Sequence, residues 1–152
     1  MLEQEHCSGD PVNRLGDKLT YTMLREHNME QLAETKKVVT LCPHCAVNLG
    51  KEYEKYDKVN YTVEHHTQVV GRLIEEGKIK VQMGDNGKVT YHDPCNLSRI
   101  LDIVDEPRTA IQSATSEFQE MKESGRETLC CGAGGALSVS YTHLTLPTTE
   151  AV

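Results

Sequence analysis

Between Arg14 and Ala33 the apolar residues Leu15, Leu19, Met23, Leu24, Met29 and Leu32 recur at intervals close to three and four. That spacing predicts an amphipathic helix whose apolar stripe faces a core. Lys36 to Leu41 carries the run Val38-Val39-Thr40 and reads as a strand, and Ala46 to Tyr56, with Val47, Leu49 and Tyr53 as its apolar minority, reads as a helix. Cys42 and Cys45 of "LCPHC" therefore stand at a strand-to-helix turn. Val59 to Val63 predicts a second strand, and His66 to Glu76, with Val69, Val70, Leu73 and Ile74 on one face, predicts a helix stopped by Gly77. Residues 84 to 87, Gly-Asp-Asn-Gly, read as a loop, and Lys88 to Tyr91 as a third strand that runs into a second cysteine turn, "HDPC", at 92 to 95. Leu97 to Val104 predicts a helix, "EPRTAIQSA" at 106 to 114 another with Pro107 near its first turn, and Glu117 to Met121 a fourth strand.

Strands that alternate with helices imply an α/β fold with a largely parallel sheet, in which sites gather at the carboxyl ends of strands. Cys42, Cys45 and Cys95 fall at such ends. Six cysteines in 152 residues change the picture more than any other feature of the composition. A chain of this length buries roughly two thirds of its unfolded surface and does not need disulfides to fold. The first residues, "MLEQEHCSGD", lack the basic start and apolar stretch of a leader, and no apolar run reaches the ~20 residues of a membrane span. The expectation is a cytoplasmic protein, or one peripheral to the inner membrane through its partners. Thiols in a reducing compartment point to metal or redox chemistry. The net charge of −7 has the wrong sign for gathering nucleic acid.

Cys7 and Cys42 lie 35 positions apart, as do Cys95 and Cys130. "CSGD" at 7 to 10 also matches "CCGA" at 130 to 133, with Ser8 where the later turn has Cys131. One turn used twice implies an internal repeat. In that reading residues 1–87 are the later part of a first unit and 88–137 the earlier part of a second, a pseudo-repeat truncated at both ends.

"CPHC", "YHDPC" and "CCGAGG", in this order and at these separations, resemble the cysteine-rich CCG domain of heterodisulfide reductase subunits and related iron-sulfur oxidoreductases. The resemblance covers about residues 5 to 136, and "CSGDPVNRLG", His65-His66 and Glu106-Pro107-Arg108 also fit it. It implies a two-unit α/β fold whose cysteine turns hold [4Fe-4S] clusters. It further implies Cys7, Cys42 and Cys45 as ligands of a first cluster and Cys95, Cys130 and Cys131 as ligands of a second. Soft thiolates suit iron. The implied partners are redox subunits, a flavoprotein or a quinone-linked module, and no catalytic residue is assigned.

Two departures stand out. Ser8 removes one thiol from the first unit, which favours an ordinary cubane there, and His6 is a spare donor whose commoner fate is hydrogen bonding. Residues 138–152, "SVSYTHLTLPTTEAV" from Ser138 onward, resemble a translated sequencing adapter and are expected to be a non-native tail. Residues 132 to 135, Gly-Ala-Gly-Gly, lack the Lys-Ser/Thr of a phosphate loop and are expected to bring amide groups close to a cluster. His65, His66 and His92 are expected at caps and strand ends, and Asp93 on the backbone of its own turn. Two other readings compete with the cluster. A non-enzymatic zinc module would want paired C-x-x-C knuckles, of which the chain has one, and dithiol exchange at Cys42 and Cys45 would leave the other four cysteines without a role.

Overall fold

The computed structural model describes residues 6–132, without the side chains of residues 85 and 86. The expected tail and the last three residues of the Gly-Ala-Gly-Gly stretch lie outside the described residues. The fold is mixed α/β. Helices α1 (Asp10–Leu15) and α2 (Lys18–Gln31) lead into strand β1 (Lys37–Thr40), and α3 (Pro43–Val47) starts inside the Cys42–Cys45 turn. The helical path then widens into a π-helical turn at Asn48–Glu52 and tightens into a 3-10 turn at Tyr53–Lys55. Strand β2 (Thr62–His65) and helix α4 (His66–Glu75) complete the first half. The second half holds strand β3 (Gly84–Val89), a second π-helical turn at Asn96–Ile100, helix α5 (Asp105–Ala114) and strand β4 (Thr115–Phe118).

The strands form two parallel pairs, β1 with β2 and β3 with β4. Lys37 faces Thr62 and Thr40 faces His65, so β1 and β2 end level. Between Gly84 and Lys88 the β3 register jumps from Thr115 to Glu117, four steps against two. The Gly-Asp-Asn-Gly stretch expected as a loop is thus a bulge inside β3, and the pairing stops at Val89 rather than Tyr91. The second strand also lies a few residues later than the expected Val59–Val63. Packing joins the halves: α4 lies on α5, and α3 lies on the Asn96–Ile100 turn. Ala46, Val47 and Leu97 are buried at that second junction.

The long first helix departs most from expectation. It is two helices, because Gly16 takes a left-handed conformation (φ 81°) and Asp17 then caps α2 by accepting from the Thr20 amide at 3.0 Å. The period is right but the buried face is only partly the apolar one, with Leu24 and Met29 half-buried. Leu15, Leu19 and Met23 are 54%, 74% and 64% exposed, whereas Tyr21, Arg25, Asn28 and Leu32 are buried. The buried face meets a polar network around the first cysteine turn, with Tyr21 and Asn28 as members.

The HDPC turn of the second half is held by a buried carboxylate. Asp93 is 1% exposed and receives both terminal nitrogens of Arg108 at 2.9 and 2.8 Å and the Gly125 amide at 2.7 Å. It therefore bonds backbone 32 residues away rather than that of its own turn. Arg108 comes from α5 and also reaches Glu120 just past β4. Burial pushes the Asp93 carboxyl up, but Arg108 and the Gly125 amide outweigh it and hold the group below its ordinary value of 3.8.

A Cβ on Gly9 (φ 88°) would stand 2.8 Å from the Tyr21 ring, whereas one on Gly16 would meet nothing within 4 Å. Gly9→Ala should cost about 2–4 kcal/mol and Gly16→Ala only about 1–2 kcal/mol in denaturant titrations of the apo chain; equal losses would contradict the close approach. Arg108→Ala should cost about 3 kcal/mol by leaving Asp93 buried and unpaired. The native Asp93 contribution should be complete above 3.8 and fade as pH falls through its lower folded value, a slope absent from Asp93→Asn in acid titrations followed by circular dichroism.

Candidate metal centre

All six cysteines are free thiols. Cys42 stands at the position just before α3, after strand β1, with Pro43 supplying a helix start that needs no N–H, and Cys45 lies one turn inside. The short spacing puts both sulfurs at the same end of the helix. Cys7 sits on the turn before α1. Ser8, next to it, donates its hydroxyl to Cys45 Sγ at 3.3 Å, across 37 residues of sequence. Burial pushes the Cys45 thiol up to about 11, the Ser8 hydrogen bond draws it back, and the nearby Cys42 and Cys7 sulfurs add to the rise. The structure thus brings Cys42 and Cys45 together at one helix end and sets Ser8, the residue after Cys7, on Cys45. His6, Ser8, Cys42 and Cys45 line one cavity of about 440 Å³.

The Cys7 turn is gripped through its backbone. Asn28 donates to the Cys7 carbonyl at 3.0 Å and to the Tyr53 hydroxyl at 3.0 Å. Tyr53 in turn donates to the Ser8 carbonyl at 2.9 Å, which also accepts from the Asn48 side-chain amide. Tyr21 closes the network by donating to Asn48 Oδ1 at 3.1 Å. Every donor in this set has an acceptor, as burial demands. Burial pushes the Tyr53 phenol up to about 12 and Tyr21 in the same direction, so both hydroxyls keep their protons near neutrality. Sequence reasoning missed Tyr21, Asn28 and Asn48 and read Tyr53 only as part of an apolar face. For Tyr21 and Asn28 the available signal was polar residues at helical spacing on the side of α2 opposite Leu19 and Met23.

Cys95 occupies the residue before the Asn96–Ile100 turn, and Cys130 lines a cleft of about 670 Å³ with His92, Gln119 and Leu129. Cys130 and Cys131 are exposed. The structure ties the chain around Cys95 to the stretch before Cys130 through side-chain-to-backbone bonds, not through the sulfurs. Asp93 holds Gly125, and Arg99 donates to the Arg126 carbonyl at 2.8 Å and to the Thr128 carbonyl. The two double turns share a geometry: Gly9 (φ 88°) donates its amide to Cys7 Sγ at 3.4 Å, and Gly132 (φ 84°) donates to Cys130 Sγ at 3.3 Å. The expectation that a glycine amide reaches sulfur holds at Gly132. Each proline-containing cysteine turn also runs into a π-helical turn that opens on a buried asparagine, Asn48 or Asn96, a rare geometry enriched at functional sites.

His65 behaves as a strand-end group. Its amide donates to Gln68 at the start of α4, and its ring bridges Thr67 (Nδ1, 2.8 Å) and the Leu41 carbonyl (Nε2, 3.0 Å). Burial pushes the ring below its usual value, so the neutral form with Nε2–H on Leu41 holds the residue just before Cys42. Among the described residues no three His, Cys, Asp or Glu side chains are gathered tightly enough to cage a single metal ion. A cluster of several irons needs its ligand sulfurs more widely spaced than one ion does. The donor set, all thiol with amide and hydroxyl donors on the sulfurs, fits such a cluster.

The model of the CCG cysteine-rich domain matches residues 1–50 and 89–150. An EtfAB:quinone oxidoreductase of Syntrophomonas wolfei is 36% identical over 134 residues, covering 87% of this chain and 19% of that protein. The "Probable iron-sulfur-binding oxidoreductase FadF" of Bacillus subtilis is 36% identical over 138 residues, 88% of this chain and 19% of its own length. A component of the dihydromethanophenazine:CoB–CoM heterodisulfide reductase of Methanosarcina mazei is 31% identical over 156 aligned positions, 97% of this chain and 38% of its own length. The chain thus spans roughly a fifth to two fifths of these relatives. No solved structure gives a match. The two matched stretches carry the two sets of cysteine turns, and the chain belongs to the CCG cysteine-rich domain family.

Proposed function

We propose that this chain is the cluster-binding part of an iron-sulfur oxidoreductase subunit of the heterodisulfide reductase type. It passes electrons between a flavoprotein or quinone-linked partner and an acceptor. In this reading residues 1–87 and 88–137 belong to two units, each contributing a [4Fe-4S] site. Cys7, Cys42 and Cys45 bind iron in the first, and Cys95, Cys130 and Cys131 in the second. The observation that supports the reading is the Ser8 to Cys45 contact of 3.3 Å, between the residue after Cys7 and the C-x-x-C pair.

Three thiolates can hold three irons of a cubane, with the fourth ligand drawn from elsewhere. The bound cluster would supply storage of single electrons. The chain's own residues do the rest. The cysteine sulfurs bind, the Gly9 and Gly132 amides donate to Cys7 and Cys130 and so favour the more negatively charged state, and the Asp93–Arg108 pair fixes the Cys95 turn. Cys7, Cys42, Cys130 and Cys131 are exposed, which keeps electron exchange with a partner short in range. Among the described residues no helix is long and apolar enough to cross a membrane. Work in the cytoplasm, or at the inner membrane through partners, fits the reading.

Anaerobic reconstitution with ferrous iron and sulfide should give a brown chain with thiolate-to-iron charge-transfer absorption and a paramagnetic signal on reduction. Cys42→Ser should remove about half of the bound iron, and Cys130→Ser with Cys131→Ser about the other half, if each site binds one cluster. A colourless chain that takes zinc through Cys42 and Cys45, or one whose dithiol exchange survives loss of Cys130 and Cys131, would overturn the proposal.

A further inference from the structure

We infer that Ser8 is a positioning residue that raises the reduction potential of the first centre, and that it makes the two centres unequal. The inference rests on the cluster reading above. Ser8 is 4% exposed, and its carbonyl is pinned by Asn48 and Tyr53, so its side chain is delivered to one place. A hydroxyl carries one hydrogen, and the acceptor here is Cys45 Sγ at 3.3 Å. Cys45 is also less exposed than Cys7 and Cys42. A donor to a ligating sulfur stabilises the form that carries the extra electron, and does so more strongly where water is scarce.

The equivalent place in the second double turn is taken by Cys131. The two turns share the left-handed glycine and the amide-to-sulfur bond, and this side chain is a difference between them among the described residues. Where the first turn offers a hydroxyl donor, the second places a ligand thiolate, which has no hydrogen to donate. The first centre holds an added electron more tightly than the second.

The test is a redox titration of the loaded chain followed by electron paramagnetic resonance, comparing native protein, Ser8→Ala and Ser8→Thr. Ser8→Ala removes only Oγ and leaves the gripped carbonyl, so iron and sulfide content should be unchanged. At the native midpoint its reduced-to-oxidised ratio at the first centre should fall about threefold to tenfold, the effect of losing one ordinary hydrogen bond. Ser8→Thr, which keeps the hydroxyl, should restore the native ratio, and neither variant should move the second centre. A fully loaded Ser8→Ala chain with an unshifted first centre overturns this inference alone. A native chain that takes up no iron overturns it together with the cluster reading.

Discussion

Two carbonyl oxygens, those of Cys7 and Ser8, set the geometry of the first site, and donors from distant helices hold them. Asn28 comes from α2, and Asn48 and Tyr53 come from the helical path that begins in the Cys42–Cys45 turn. A short turn has little apolar surface with which to dock, so its position must come from hydrogen bonds to its backbone. Burying those donors would be costly if any were left unpaired. Tyr21 pairs Asn48 and Asn28 pairs Tyr53, so the network is closed and sets one position for the turn. The sulfurs inherit that position. Ser8 then adds a side-chain contact to sulfur itself.

The second half reaches a similar end by a different force. There a buried ion pair, Asp93 with Arg108, replaces the neutral network and ties the Cys95 turn to Gly125. A bidentate pair fixes orientation as well as distance, and it carries a desolvation cost that neutral amides and phenols avoid. The cysteine turns are alike in backbone, both with a left-handed glycine and an amide donor on sulfur, while their supports are unlike.

Much of this was legible in the sequence, and the limits have physical causes. Strand β1, helix α4 and the cysteine turns announce themselves because a β-branched run, a stripe of Val, Leu and Ile, and a proline next to cysteine each act locally. The face of α2 could not be read, because a helix packed against a polar network buries Tyr21, Arg25 and Asn28 and leaves Leu19 and Met23 in solvent. Period survives such packing, but the buried face is shared between Tyr21, Arg25 and Asn28 and the later part of the apolar stripe. Asp93 before proline suggested a local bond, and only the fold could show that its carboxylate is taken by Gly125 and Arg108. The likeness of "CSGD" to "CCGA" suggested a similar backbone, and Gly9 and Gly132 do share a left-handed conformation.

The polar network holds the Cys7 turn against the Cys42–Cys45 pair before any iron arrives. Cross-linking of the reduced apo chain with the shortest available thiol-bridging reagent, mapped by mass spectrometry, reads that arrangement without a cluster present. A dominant bridge from Cys7 to Cys45 or Cys42 is expected, lost when Asn48 and Tyr53 are replaced together by Leu and Phe. Bridges from Cys7 to Cys95 or Cys130 in equal yield, or no bridge to the C-x-x-C pair, would contradict it.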